Sequence, residues 1–235
     1  NQSDLSPVNY QKIFQIFNLL KEKFDWKEII EDGKIVALKK NLSTITLEPG
    51  GQIELSGAPM RSLFDTCKEV NSHQFELNTV SKDLGVGYMG MGCLPKWNLD
   101  QISLMPKQRY KIMYEYMKKV GRHGLDMMLR TCTIQANFDF ESEKDMINKL
   151  RVSLSIQPAI IALYANSPFV SGKLTKFSSY RSWIWSQTDT DRCGILPFVF
   201  NNSFSFPNTS LSNFIKSVDS IFLSTLLFDP ILLLK

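Results

Sequence analysis

Two glutamates and a pair of side-chain amides are placed where they could do chemistry together. In ITLEPGGQIELSG, residues 45–57, Pro49, Gly50 and Gly51 suit a three-residue hairpin loop with a glycine at its left-handed position. Side chains alternate across a strand. Ile45, Leu47, Ile53 and Leu55 therefore fall on one face, and Thr46, Glu48, Gln52, Glu54 and Ser56 on the other. A two-residue loop would mix the two sets, so the pattern itself selects the register. Two carboxylates on one face of a short hairpin repel each other. A divalent cation would relieve that repulsion, and Mg²⁺ prefers carboxylate oxygens. The opposing reading is a solvent-washed face with two ordinary glutamates, which antiparallel sheets often carry.

The second pattern is TCTIQANFDF, within a predicted strand from Leu125 to Phe140. Thr131, Thr133, Gln135, Asn137 and Asp139 alternate with Cys132, Ile134, Ala136, Phe138 and Phe140. If this strand shares a sheet with the hairpin, the two polar faces form a floor of carboxylates, amides and hydroxyls. Alternation puts Arg130 on the apolar side unless the strand starts or bulges there. The third pattern is SSYRSWIWSQTDTDRCGILPF, where Arg181 and Arg192 flank Trp183, Trp185, Asp189 and Asp191. Arginine is suited to bidentate carboxylate or phosphate contacts. The plainer reading is a helix with surface Arg–Asp pairs and tryptophans in the core. His73 and His123 have no partner at triad or metal spacing, and Cys132 reads as packing.

The elements that must position these groups follow from periodicity and punctuation. Ser6-Pro7 predicts a helix start, and Ile13, Ile16, Phe17, Leu20 and Phe24 recur at helical spacing up to the Asp32-Gly33 turn. Lys34–Leu38 reads as a strand, 59–84 as a helix stopped by Gly85, and 86–92 as a short Gly-rich strand. Helices are predicted over 106–120, from a Ser142 cap to about Ala165 with Pro158 inside it, and over 177–187. Hairpins mixed with long helices give an α+β class, an antiparallel sheet with helices packed on it. No Gly-rich phosphate loop follows a strand, which argues against a dinucleotide fold or a P-loop.

The 235 residues carry 27 Lys+Arg against 23 Asp+Glu, a net +4, with 43% hydrophobic and 21% charged residues. That apolar content excludes a disordered polymer, and length allows one large domain or two small ones. The small, scattered excess of positive charge gives no nucleic-acid signature. Cys67, Cys93, Cys132 and Cys193 form no CxxC pair, so reduced thiols and a cytoplasmic location are expected. The apolar stretch IFLSTLLFDPILLLK is broken by Asp229 and Pro230 and is too short for a membrane span. Asn1 stands in place of an initiator Met, and both ends read as cut.

The segments ITLEPGGQIELSGAP, CKEVNSH, PKW, MPKQRYKIMYEYM, GLDMMLRTCTIQANFDF, ANSPF and YRSWIWSQTDTDRCGILPFVF, in this order and spacing, resemble the plant and proteobacterial type of glutamate–cysteine ligase. The resemblance runs from Gln11 to Phe206. It implies a glutamine-synthetase-like fold, a funnel-shaped antiparallel sheet with Mg²⁺ on its polar face. It implies glutamate, cysteine and ATP as substrates. ATP phosphorylates the glutamate γ-carboxylate, and the cysteine amine then attacks the acyl phosphate, the first step of glutathione synthesis. Residue by residue, it implies Glu48, Glu54 and Gln135 as metal ligands and Asn137 in the ATP site. Arg181 matches a catalytic cation at a substrate carboxylate or phosphate, Trp185 a wall of that site, and Arg130 and Arg192 further substrate or ATP contacts. Cys67 matches a family cysteine, with no obvious disulfide partner.

Two departures shape the expectation. The family's Gly-x-Glu-His-Glu strand, whose glutamates are metal ligands, has no counterpart in this sequence, and the family pattern fades from about Pro207. Residues 1–206 then read as a partial catalytic domain and 207–235 as a divergent apolar tail. Little ligase activity is expected of the chain alone, unless a separately encoded N-terminal segment completes it. The competing readings are a non-catalytic remnant and a related ligase with another amine substrate.

Overall fold

The first helix, α1 (Tyr10–Phe24), is capped by Asn9, whose side chain accepts from Lys12 N at 3.0 Å. The start therefore lies beyond the predicted Ser6-Pro7. Its stripe of Ile13, Ile16, Phe17 and Leu20 is fully buried. The helix stops at Asp25, which takes a left-handed conformation at φ 56°. The chain then forms β1 (Lys27–Glu31) where a continuing helix was predicted. β1 pairs with β2 (Lys34–Lys40) through Asp32 and Gly33, both at positive φ (50° and 73°), the mirror-image turn that matches strand twist.

The structure is a computed structural model and describes residues 4–189, 193 and 227–228. Strands β3 (Ser43–Leu47) and β4 (Ile53–Ser56) complete a four-stranded antiparallel sheet of order β1-β2-β3-β4. Its apolar side carries Val36, Leu38, Ile45 and Leu47, all buried, and Ile35 and Ala37 are buried on the opposite face. α2 (Leu63–Ser81) is capped by Ser62 and runs into a short 3-10 turn that ends at Gly85 in the left-handed region, as predicted. Buried Glu76 on α2 accepts from Trp26 Nε1 at 2.6 Å and from Lys40 Nζ at 3.0 Å, which ties the helix to the sheet through a satisfied carboxylate.

Contacts divide the chain into two units, 1–89 with 97–116, and 90–96 with 117–235. The first holds α1, the sheet, α2 and most of α3 (Gln108–Met117). The second holds α4 (Gly124–Arg130), β5 (Ile134–Gln135), α5 (Glu143–Leu163), the β6–β7 hairpin (Phe169–Val170 with Lys173–Leu174), α6 (Tyr180–Ser186) and β8 (Leu227–Phe228). α5 starts at the predicted Ser142 cap, whose Oγ accepts from Asp145 N at 3.2 Å.

The predicted strand over 125–140 is corrected. Residues 124–130 are helical because Leu125, Met128 and Leu129 also satisfy a helical spacing, with Met128 and Leu129 buried. Asp126 in the first turn and Arg130 in the last suit the helix dipole and pair at i,i+4. Within 125–140 only Ile134–Gln135 forms a paired strand, and it pairs with Leu227–Phe228, not with the four-stranded sheet. The continuous polar floor expected across both segments is therefore not one sheet. The predicted strand at 86–92 is also absent; Cys93 makes an isolated bridge to Thr131 instead. Among the described residues no helix is long and apolar enough to cross a membrane. The α+β class and the antiparallel sheet stand as read. The predicted boundary at 207 lies outside the described residues.

Candidate functional site

In the first unit the β3–β4 hairpin has the register its pattern demanded. Thr46 pairs with Glu54 and Leu47 with Ile53, and Glu48 N donates to Gln52 O at 2.8 Å. Gly51, at φ 90°, closes the loop by donating its N–H to Glu48 O at 3.0 Å. Ile45 and Leu47 are fully buried, whereas Glu48 is half-buried and Glu54 exposed at its rim. The structure thus brings Glu48 and Glu54 onto one face, at diagonal positions roughly 7–8 Å apart across the strand pair. Partial loss of solvation pushes the Glu54 carboxyl above its ordinary value, and the neighbouring Glu48 charge adds to that rise. The Ser56 hydroxyl, Arg109 and Lys107 oppose it.

A second segment closes on this face. Met105 N donates to Pro49 O at 2.9 Å, and Gln108 N donates to Glu31 Oε1 at 2.6 Å, so the PKQRY stretch is held against the hairpin loop and β1. Tyr110, 1% exposed, donates its hydroxyl to Leu47 O at 2.7 Å. Its oxygen accepts from Lys107 Nζ at 3.2 Å and Arg109 Nη2 at 3.0 Å and lies 3.3 Å from Glu48 Oε2. Arg109 also approaches Glu48 Oε1 at 3.8 Å. Burial draws the Lys107 ammonium below its usual range, while Glu48 works against that shift. The result is a rim carrying two carboxylates, one buried ammonium and one guanidinium. The sequence reading missed Lys107, Arg109 and Tyr110 as site residues, because nothing in their local spacing reveals contact with a hairpin some sixty residues away.

Two carboxylates on one polar face, one of them destabilised as an anion by the other, fit Mg²⁺ held partly by protein and partly by substrate phosphates. Among the described residues no cluster of three or more His, Cys, Asp or Glu adds to them.

The other predicted residues lie in the second unit. Arg181, on α6, is 3% exposed; its N–H donates to Ser167 Oγ at 3.1 Å and its guanidinium stacks 5.4 Å from the Trp185 ring centre. The Trp185 Nε1 is buried and has no acceptor among the described residues, so it can offer a hydrogen bond to a bound group. Arg181 is thus buried and not at the surface, unlike the plainer reading of this segment. Arg130 ends α4, 6% exposed, and donates to Asp126 Oδ1 at 3.0 Å and Ser171 Oγ at 3.2 Å. Asp126 also meets His123 Nδ1 at 2.8 Å through its other oxygen, so His123, read as partnerless, has a carboxylate partner. The HxxD spacing at the start of α4 was the missed signal. His123 in turn lies 4.5 Å from the Trp183 ring. Gln135 and Asn137 are exposed and joined to each other, Nε2 to Oδ1 at 2.9 Å. Arg192 and Asp191 lie outside the described residues. Cys67 is exposed and Cys93 buried.

Comparisons with known proteins give the class first: the chain's relatives are ligases. The model of the family described as Glutamate-cysteine ligase family 2 (GCS2) matches residues 14–210. The chain is 54% identical over 202 residues to the chloroplastic glutamate–cysteine ligase of Brassica juncea, 53% to that of Arabidopsis thaliana and 52% to chloroplastic glutamate–cysteine ligase A of Oryza sativa subsp. japonica. Each match covers 86% of this chain and 39%, 39% and 41% of the relative, so the chain spans about two fifths of their length. The chain belongs to glutamate–cysteine ligase family 2. The cytoplasmic expectation is overturned, since these relatives are chloroplastic proteins and cysteine spacing does not distinguish the two compartments.

Proposed function

We propose that the chain carries part of the machinery that joins the γ-carboxylate of glutamate to the amine of cysteine at the expense of ATP. The observation that carries this reading is the hairpin face with Glu48 and Glu54, which supports family membership with a donor set suited to phosphoryl transfer. Glu48 and Glu54 would hold Mg²⁺, which when bound supplies charge neutralisation for phosphate oxygens. Lys107 and Arg109 bring positive charge to the same rim, where a phosphate or carboxylate oxygen could be oriented. Arg181 and Arg130 are the cations assigned to substrate carboxylate or phosphate, Trp185 walls Arg181, and Asn137 and Gln135 are assigned to nucleotide and metal on the resemblance alone. Arg192 is assigned with them on the resemblance alone. Attack of the glutamate carboxylate on the γ-phosphorus would form an acyl phosphate and release ADP; the cysteine amine would then displace phosphate.

Glutamate binding tests this reading. Calorimetry in the presence of Mg²⁺ and a non-hydrolysable ATP analogue should show glutamate binding more tightly than without the nucleotide. Aspartate, one methylene shorter, should bind at least tenfold more weakly. Indifference to nucleotide, or equal binding of aspartate, contradicts it.

A further inference from the structure

We propose that Tyr110, together with Thr46, is a positioning residue that pre-sets the Glu48 carboxylate as the fixed half of the hairpin's cation-binding pair, leaving Glu54 as the adaptable half. The inference rests on the reading of Glu48 and Glu54 as cation ligands.

The two glutamates are held very differently. Glu48 has a partner at each oxygen: the Thr46 hydroxyl donates to Oε1 at 3.1 Å, and the Tyr110 hydroxyl stands 3.3 Å from Oε2. Among the described residues the Glu54 carboxylate accepts a hydrogen bond only from the Ser56 hydroxyl, at the limit of 3.5 Å. The partners of Glu48 are themselves fixed. Thr46 sits in β3 opposite Glu54, and Tyr110 is 1% exposed on α3.

A phenol has one proton to give and two lone pairs to receive. Lys107 Nζ and Arg109 Nη2 donate into the Tyr110 oxygen, which uses up both lone pairs. Its single proton faces two acceptors, Leu47 O at 2.7 Å and Glu48 Oε2 at 3.3 Å. These acceptors belong to adjacent residues of the chain, so one hydroxyl clamps the end of β3 and the first carboxylate together. It also gathers the two cations next to that carboxylate. Partners of this kind, which orient a metal ligand without touching the metal, typically govern affinity by 10–100-fold.

The test is Mn²⁺ binding, followed by electron paramagnetic resonance on the full chain, at a temperature where circular dichroism shows each variant folded. Tyr110→Phe keeps the ring and removes the hydroxyl, and should weaken Mn²⁺ about tenfold. Thr46→Val should weaken it in the same direction, and Thr46→Ser, which keeps a hydroxyl, should restore it. A merely structural role would lower the melting temperature and leave the Mn²⁺ affinity of the folded protein unmoved. A folded Tyr110→Phe that binds Mn²⁺ like wild type overturns the proposal. If Tyr110→Phe does not fold, the Thr46 pair decides: wild-type affinity in Thr46→Val overturns it, and loss with rescue by Ser supports it. Glu54→Ala separates the two levels. Wild type that binds no Mn²⁺, or binds it as well as Glu54→Ala does, overturns the cation reading and this proposal with it. Binding lost in Glu54→Ala but kept in Tyr110→Phe and Thr46→Val overturns the positioning role alone.

Discussion

Thr46 and Glu54 stand directly opposite each other on β3 and β4, and this pairing places Glu48 on the same face as Glu54. The like charges on that face make a cost that the chain carries in the absence of a cation. Loss of solvation and Glu48 both raise the Glu54 carboxyl, so its ionised form is disfavoured in the fold. A carboxyl raised on folding contributes stability in acid that is lost as pH rises through its ordinary range to its folded value. Glu54→Gln removes this loss. At pH 7 without metal it should raise the melting temperature by about 1–3 °C, from a like-charge pair of roughly 0.2–1 kcal/mol. With millimolar Mn²⁺ the order should invert, since only wild type gains from binding. Thermal melts with and without Mn²⁺ check it, and a variant less stable than wild type in both conditions contradicts it.

His73 predicts the opposite slope. It lies on α2 between Glu69 and Glu76, with a buried Nδ1 that has no hydrogen-bond partner among the described residues. Burial lowers its proton affinity below the usual value of 6.5, and the two glutamates only partly offset this. The unfolded chain therefore takes up a proton before the folded chain does. Stability is intact above the ordinary histidine range and falls as pH drops through it toward the folded value. Urea midpoints should decline between pH 7.5 and 5.5 in wild type, and His73→Gln should flatten that decline. Parallel profiles for the two proteins would count against the assignment.

Gly121 has no room for a side chain. Its φ is +63°, and a Cβ there would fall 1.3 Å from the Thr188 carbonyl oxygen. The same approach lets Arg122 N and His123 N donate to Gln187 O at 3.0 and 3.3 Å. Gly121→Ala should therefore cost about 3 kcal/mol or more, because backbone strain and a backbone clash act together. Chemical denaturation measures it, and a loss under about 1 kcal/mol would show that the segment yields easily.

Legibility followed the locality of the signal. The hairpin was readable because two faces, a Pro-Gly-Gly loop and a period of two agree on one register. Ser142 and Gly85 were readable because caps act within a few residues. β1 was not, since Ile29 and Ile30 are exposed on an edge strand and leave no alternation, and Asp25 ends α1 without a glycine. α4 was misread because Leu125, Met128 and Leu129 fit a helix, while the residues just after them alternate like a strand. At the site, Glu48 and Glu54 came from the pattern. Tyr110 did not, because its role depends on a long-range contact with Leu47 and Glu48. Arg130 was flagged as lying on the wrong face of a strand, which the helix and its Asp126 partner resolve.

The central claim is that the Glu48–Glu54 face binds a divalent cation together with ATP, and one calorimetric titration tests it. Mg-ATP should bind the full chain, and Glu54→Ala, shown folded by circular dichroism, should lose at least tenfold in affinity while free ATP without Mg²⁺ binds both proteins equally weakly. Equal Mg-ATP affinity in the two proteins would contradict the account.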